Sequence, residues 1–239
     1  MKGSILNGVG NYPNPILFLM GYQLDFSVVI KNLPLFLKGV FLTVEISFFA
    51  ILIGLSIGIF AAVARTSRFK ILNLIGATYV EVFRNTPLLI QIFIIFFGLP
   101  GIGIKLSPYI SGLTALVLYV GAYNTEVIRA GLEAIPRGQI EAAKSIGLTG
   151  IQTFLYIILP QTFRISLPAL GNNWVALVKN SSLVSVIGMV ELTWVTLDLN
   201  ALTFRSFELF GAATLFYLIL IFILINIQNF VERRFTYKT

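Results

Sequence analysis

Long apolar runs dominate the chain and are separated by short polar connections. Five runs are long enough to predict membrane-crossing helices, at about residues 37–64, 71–99, 110–133, 152–181 and 209–230. An α-helix rises 1.5 Å per residue, so the first run would extend about 40 Å, enough to cross a bilayer with some tilt. Pro160 and Pro168 predict breaks in the fourth run. The pattern therefore predicts an all-α membrane protein with about five transmembrane helices.

Composition supports a lipid-facing protein and excludes several kinds of chemistry. Hydrophobic residues make up 57% of the chain and charged residues 11%, and the mean hydropathy is +0.90. A soluble core of this size cannot enclose so much apolar side chain. Histidine and cysteine are absent, so we expect no catalytic residue of these types and no metal site. The phosphate-binding pattern G-x-x-x-x-G-K-[ST] is also absent, so we expect the chain not to hydrolyse ATP by itself.

The distribution of basic residues predicts the orientation. The lysines and arginines that cluster in connections and in the C-terminal tail fall on one side of a five-span arrangement, which is normally the cytoplasmic side. They are Arg65, Arg68, Lys70, Arg137, Lys144, Arg233, Arg234 and Lys238. The N-terminus is then outside, residues 1–33 form an external or interfacial segment, and residues 34–239 form the transmembrane domain with a cytoplasmic C-terminus. Glu191 and Asp198 are expected at a solvated external rim, and contact with an extracellular binding protein is the alternative. The net charge of +7 includes no basic cluster interleaved with stacking aromatic residues, so we expect no nucleic-acid partner.

A polar segment at residues 134–149 interrupts the apolar pattern. Pro136 suits the first turn of a short helix, and Gly147 can adopt the positive φ that ends one. A short, rigid helix held between two spans can transmit the motion of a docked partner. An ordinary amphipathic connector would show the same local features, so both interpretations stay open on local physics alone.

Polar residues also cluster in the middle of the second run. They are Glu81, Arg84, Asn85, Thr86 and Gln91, with Pro87 among them. Charge at membrane depth is costly and usually faces a partner or a cavity. Pro87 should break the helix, and broken helices often mark a substrate path. Glu81 and Arg84 are three residues apart and are expected to meet on one helix face. A purely structural ion pair is the alternative interpretation.

Glu126 and Arg129 have the same spacing near the end of the third run. Because that end is expected to lie near the cytoplasm, a structural or gating pair is favoured over substrate contact.

A third polar group follows in the fourth run and comprises Lys179, Asn180 and Ser182. Lys179 lies about 22 Å along a continuous helix from Arg164, which places it deep in the membrane. A buried ammonium group there needs a carboxylate, from Glu81, Glu45 or a substrate. A bundle-stabilising ion pair is again the alternative to a substrate contact.

One long motif resembles a known family. Glu141-Ala142-Ala143, three residues, Gly147, nine residues and Ile157-x-Leu159-Pro160 is similar to the coupling loop of permease subunits of bacterial ATP-binding-cassette (ABC) importers. The resemblance implies the type I importer permease fold. It also implies that Gln139, Glu141, Ala142, Ala143 and Gly147 contact an ATPase.

A second motif resembles the polar-amino-acid branch of these permeases. It reads E-x-F-R-N-T-P-L-L-x-Q from Glu81 to Gln91. The resemblance implies a substrate path through Glu81, Arg84, Asn85, Thr86, Gln91, Lys179, Asn180 and Ser182. It further implies a multi-pass protein of the bacterial inner membrane that acts with two ATPase subunits, a second permease subunit and an external amino-acid-binding protein. ATP and Mg²⁺ would then be bound by the ATPase, and no cofactor by this chain.

The substrate is less well defined than the family. Where family members often carry Lys-Asp-Thr-Ser-Leu, this chain has Lys179-Asn180-Ser181-Ser182-Leu183. Together with Glu232-Arg233 this form is most similar to glutamate and aspartate permeases, so an acidic amino acid is expected. An ion-coupled transporter or channel that acts without an ATPase is the alternative function.

Overall fold

The structure, a computed structural model, describes residues 22–235, which form helices and no strand. The helices are α1 (Ser27–Lys31), α2 (Leu33–Thr66), α3 (Lys70–Arg84), α4 (Leu88–Phe93), α5 (Pro108–Glu133), α6 (Arg137–Ser145), α7 (Gly150–Thr153), α8 (Leu159–Asn180), α9 (Leu192–Thr203) and α10 (Ser206–Phe235). A π-helical turn (Ile94–Gly98) and a 3₁₀ turn (Leu99–Ile102) extend α4. A π-helical turn (Phe154–Ile158) joins α7 to α8, and a 3₁₀ turn (Ser181–Ile187) follows α8. The all-α class is therefore as predicted.

Not every predicted span has the length and apolarity of a membrane-crossing helix. Among the described residues, three segments have both, namely Leu33–Thr66, Gly150–Ile187 and Ser206–Arg234. A fourth exists if Lys70–Arg84 and Leu88–Ile102, which meet at a bend of 104°, are one broken span. Helix α5 has 26 residues but is more polar, because it is enclosed largely by protein. The count of five spans and the orientation therefore stay predictions.

Close contact between α2 and α5 organises the core. Buried small residues recur along α2, including Gly54, Gly58 and Ala62, and residues four apart lie on one helix face. A Cβ atom at Gly54 would lie 2.4 Å from Val120 Cγ1, and one at Gly58 would lie 2.8 Å from Asn124 Cβ. The two backbones therefore approach as closely as glycine permits. Large apolar side chains from α2, α4, α5 and α8 complete this core, among them Ile46, Ile92, Leu116 and Leu177.

The two prolines of the fourth run do not break it. Gly150–Ile187 continues as a single helical segment, so the predicted breaks are wrong. Pro160 directly follows the π-helical turn, and this wider turn accommodates the proline within the continuous helical segment. Pro168 lies inside α8 and is tolerated there.

Glu191 is fully buried, so its predicted place at a solvated rim is wrong. Its carboxylate caps the N-terminus of α9, where it accepts a hydrogen bond from the Trp194 N–H at 2.7 Å. It also accepts one from the Tyr217 hydroxyl at 2.9 Å, which joins α9 to α10. The cap and the phenol supply the partners that a buried carboxylate requires. Asp198, on the same helix, is exposed as expected.

The segment before α1 is attached to the start of α10. The Tyr22 hydroxyl and the Asp25 N–H both donate hydrogen bonds to the Glu208 carboxylate. The bond to Glu208 raises the pKa of the Tyr22 phenol above its usual value. Residues 1–21 of the predicted external segment lie outside the described residues, and the division at residue 33 stays a prediction.

The α2–α5 contact generates a stability prediction. Substitution Gly54→Ala should lower the free energy of unfolding by about 1–3 kcal/mol, because the added methyl group overpacks the contact with Val120. Gly211→Ala in α10 is the matched control, since a Cβ there meets no atom within 4 Å. Thermal unfolding in one detergent would measure both. Equal midpoints for the two variants would contradict the close approach.

Candidate functional site

The break between α3 and α4 forms a fixed corner. Pro87 has extended backbone angles directly before α4, and the two helices meet at 104°, so the predicted break at Pro87 is confirmed. Gln91 is buried, and its Nε2 donates to the carbonyl oxygens of Phe83 and Thr86 at 2.9 Å each. These two bonds satisfy carbonyl groups that the broken helix leaves free.

A polar cavity of about 440 Å³ lies beside this corner. Its lining residues are Arg84, Asn85, Thr86, Pro87, Leu88, Tyr119, Tyr123, Asn180 and Leu183. Four of the eight predicted path residues are therefore brought together from α3, the corner and α8. The Asn180 Nδ2 donates to the Tyr119 hydroxyl at 3.2 Å, which connects the α8 wall to the α5 wall. Tyr119 escaped prediction because it lies in an otherwise apolar stretch.

The remaining predicted path residues of α3 and α4 do not line the cavity. Glu81 accepts a hydrogen bond from Asn85 Nδ2 at 2.7 Å. The predicted contact between Glu81 and Arg84 is not made, because the Arg84 side chain turns to α5 instead. Gln91 bonds the backbone of the corner and lies outside the cavity lining. These residues shape the cavity walls without facing the cavity.

Lys179 and Ser182 also lie apart from the lining. The Lys179 side chain is exposed, and no carboxylate in residues 22–235 forms an ion pair with it. Glu45 instead accepts a hydrogen bond from the Tyr109 hydroxyl at 3.0 Å. Neither Glu81 nor Glu45, the two partners within the chain that were expected for Lys179, forms an ion pair with it, and its contact with a substrate carboxylate stays a prediction. The Ser182 hydroxyl donates to the Lys179 carbonyl oxygen at 2.8 Å.

Glu126 is the centre of a charged cluster at the end of α5. Its carboxylate contacts the guanidinium groups of Arg65 from α2, Arg129 at 3.0 Å and Arg84 at 3.9 Å. The predicted Glu126–Arg129 pair is confirmed. Arg65 and Arg84 contact Glu126 because the packing of α2 and α3 against α5 brings them there. The Arg84 guanidinium also lies 5.2 Å from the centre of the Tyr123 ring. Arg84 thus belongs both to the cluster and to the cavity.

The polar segment forms the short helix α6, as predicted. Pro136 directly precedes the helix, and Gly147 adopts a φ of +85° just after it. The N–H of Gly147 donates to the Lys144 carbonyl at 3.0 Å, and the N–H of Leu148 donates to the Ala143 carbonyl at 3.1 Å. This pair of bonds is the Schellman motif that closes a helix and requires a left-handed residue, usually glycine. The glycine stop is therefore confirmed.

Most of the predicted coupling residues lie on the accessible surface of the loop. Gln139, Glu141, Ala142 and Gly147 are exposed, whereas Ala143 is buried. Ile146 and Ile151 are exposed beside them, although both are large and apolar. The following turn is fixed by a reciprocal capping box, in which Thr149 and Gln152 each bond the other's backbone N–H. The loop thus offers a mixed polar and apolar face on a rigid backbone.

Within residues 22–235, no three carboxylates gather into a group that could hold a metal ion. The chemistry of the region is therefore that of guanidinium, amide, hydroxyl and phenol groups.

Sequence comparisons assign the family. The model of the family "Binding-protein-dependent transport system inner membrane component" matches residues 54–237. The chain is 37% identical over 211 residues to the probable glutamine ABC transporter permease protein GlnM of Bacillus subtilis (strain 168), covering 88% of this chain and 98% of that protein. It is 36% identical over 213 residues to the arginine transport system permease protein ArtQ of the same organism. That match covers 89% of this chain and 97% of that protein.

A solved structure agrees with these relatives. The fold matches a chain in the crystal structure of an amino acid ABC transporter with histidines, with a TM-score of 0.83 and 36% identity. The match covers 89% of this chain and 100% of that chain. The type I importer permease fold is thereby confirmed. The chain belongs to the family of binding-protein-dependent transport system inner membrane components, and it is a multi-pass inner-membrane permease of a bacterial ABC importer for polar amino acids.

Proposed function

We propose that the cavity beside the α3–α4 corner contacts the transported amino acid. The observation that carries this proposal is the combination of Arg84 with amide, hydroxyl and phenol groups around about 440 Å³ at a broken helix. A guanidinium group is a strong, geometrically specific partner for a carboxylate. The α-carboxylate common to all amino acids would meet Arg84, and Asn85, Thr86 and Asn180 would bond the polar remainder.

The charge of the cavity favours a neutral polar amino acid of the glutamine type. Arg84 is the one cation in the described lining, and no lining residue is a carboxylate. The α-carboxylate would occupy that cation, which leaves no counter-charge for an acidic or a basic side chain. An amide side chain needs only donors and acceptors, and the lining supplies both.

The acidic substrate predicted from the sequence gains no support from the reported relatives, which are named for glutamine and arginine. Glutamate or aspartate would need a second cation, and Lys179 does not line this cavity. An ion-coupled transporter or channel that acts without an ATPase is not favoured, because the family is that of ABC importer permeases. Acidic substrates, which were expected from the sequence, are therefore only the second candidate for transport.

The coupling partners follow from the loop. The exposed face of α6 with Glu141, together with Ile146 and Gly147 just after the helix, would dock on an ATPase subunit that binds ATP and Mg²⁺. Two such subunits, a second permease subunit and an external amino-acid-binding protein would complete the importer, and this chain would bind no cofactor itself.

A short physical route joins the docked loop to the cavity. Helix α6 follows α5 directly, and the last turns of α5 carry Glu126 and Arg129. A rigid displacement of α6 would move this end of α5 and with it the partner of Arg84. ATP-driven motion would therefore change the position of the cavity's cation, which gives the two transporter states different contacts with the substrate.

Arg84→Gln should reduce uptake while assembly stays normal. Loss of a charge-assisted contact costs about 1.5–3 kcal/mol, which corresponds to about 10- to 150-fold weaker substrate capture. Uptake of labelled glutamine into proteoliposomes with the complete importer would measure this. Lys105→Gln removes an exposed cation from a connection outside the cavity and should leave uptake unchanged. Wild-type uptake in Arg84→Gln would remove Arg84 from the path.

Competition in the same assay tests the substrate class. Unlabelled glutamine should compete with labelled glutamine, and equal concentrations of arginine or glutamate should compete poorly. If glutamate competed better than glutamine, the acidic-substrate candidate would replace the neutral one.

Glu141→Lys should weaken ATPase docking and leave folding intact, because it reverses a charge on the exposed face of α6. We expect about tenfold weaker retention of the ATPase, equivalent to about 1.4 kcal/mol. Quantitative co-purification would report it. Asp198→Lys, the same reversal at an exposed position on α9, is the matched control. Full coupling and retention in Glu141→Lys would refute the assignment.

Glu126→Gln should destabilise the permease and loosen coupling, because it leaves three guanidinium groups without their shared carboxylate. We expect a loss of about 1–2 kcal/mol, since the cluster is only partly buried. Glu133→Gln is the control, because its side chain is 58% exposed and pairs with Arg129 alone. The measurements are thermal unfolding and the ratio of ATP hydrolysed to amino acid transported. Equal effects of the two variants would argue against a central role for Glu126.

A further inference from the structure

A second cavity, of about 430 Å³, lies where α2 turns into α3. It is lined by Ser67, Arg68, Lys70, Asn73, Leu74 and Ala77. The turn is held by its own bonds, because the Asn73 amide donates to the Arg65 carbonyl and the Phe69 N–H donates to the Ser67 hydroxyl oxygen at 3.2 Å. The cavity is therefore part of an ordered connection.

The two cations of this cavity have no counter-charge in the described part of the chain. Neither Arg68 nor Lys70 takes part in an ion pair or a side-chain hydrogen bond there. The sequence contains no aspartate or glutamate between Glu45 and Glu81. Arg65, the third cation nearby, is already bound to Glu126. The site thus carries two free positive charges in one open cavity, with the Ser67 hydroxyl as a further donor.

An uncovered apolar stripe begins beside these cations. Ile71, Leu74 and Ile75 are 74%, 66% and 62% exposed, and Val82 continues the stripe on the same face of α3. From Ile71 to Val82 the stripe extends about 16 Å along the helix. No described part of the chain packs over these side chains. A stripe of this kind suits hydrocarbon, and its position beside two cations at a helix end suits a molecule with an anionic head and an apolar tail.

We propose that this region binds an anionic phospholipid of the cytoplasmic leaflet. The phosphate group lies in the cavity against Arg68, Lys70 and Ser67, and an acyl chain runs along Ile71, Leu74 and Ile75. Basic clusters at the cytoplasmic ends of membrane helices attract anionic lipids, with each cation contributing independently. The assignment to this leaflet rests on the orientation predicted from the basic connections, and it is independent of the transported amino acid.

The experiment is native mass spectrometry of the full-length permease in its purified complex. Phosphatidylglycerol and phosphatidylcholine with identical acyl chains are titrated separately, without ATP or amino acid. The wild-type protein should retain phosphatidylglycerol in preference. Arg68→Gln combined with Lys70→Gln should bind it roughly 30-fold more weakly, at about fivefold for each cation. Arg233→Gln combined with Arg234→Gln removes the same charge from the end of α10, outside the lining of this cavity, and should weaken binding far less.

A second variant separates the head from the tail. Ile71→Ala combined with Ile75→Ala should weaken binding of both lipids alike, and an excess of inorganic phosphate should not displace phosphatidylglycerol from the wild-type protein.

Equal retention of the two lipids would overturn the proposal, as would equal losses in both double-charge variants. Displacement by inorganic phosphate alone would indicate a free-anion site instead. If Arg68→Gln/Lys70→Gln lost a protein subunit from the complex but bound lipid as before, the surface would be a protein interface instead. Because no transport is measured, a failure of the transport proposal would leave this test unaffected.

Discussion

The approach of the α2 and α5 backbones is the constraint on which the rest of the structure depends. Gly54 and Gly58 leave no room for a side chain against α5, so the two helices contact each other with a fixed separation. That contact places the end of α2 beside the end of α5 and thereby brings Arg65 to Glu126. It also makes α5 the central helix, because α3, α4 and α8 then pack around its remaining faces. Small residues that allow backbones to approach are the usual means of helix association in lipid, where apolar burial offers little driving force.

Glu126 links the packed helices α2, α3 and α5 through ion pairs. One carboxylate serves three guanidinium groups, so its partners compete, and Arg84 is the most distant and the most exposed of them. A substrate carboxylate in the adjacent cavity would draw on the same arginine. Occupancy of the proposed substrate cavity would therefore be linked through Arg84 to the charge balance at the end of α5. That end is one helix away from the loop proposed to meet the ATPase.

Features that depend on the local chain were predictable from the sequence, and features that depend on packing were not. The break at Pro87, the stop at Gly147 and the Glu126–Arg129 pair follow from residues within a few positions of one another. The burial of Glu191 requires the Tyr217 hydroxyl of a different helix, which no local pattern indicates. The surroundings of Lys179 could not be predicted either, because its position along a helix does not determine which way its side chain points.

The double hydrogen bond of Gln91 has a mechanical consequence. A helix interrupted by proline is often a hinge, but here one buried amide holds both sides of the interruption through the carbonyls of Phe83 and Thr86. These two hydrogen bonds therefore hold the angle between α3 and α4. The two bonds hold the backbone of this wall in one shape, so a motion of α5 would change the cavity through the Arg84 side chain and through the opposite wall, where α5 carries Tyr119 and α8 carries Asn180.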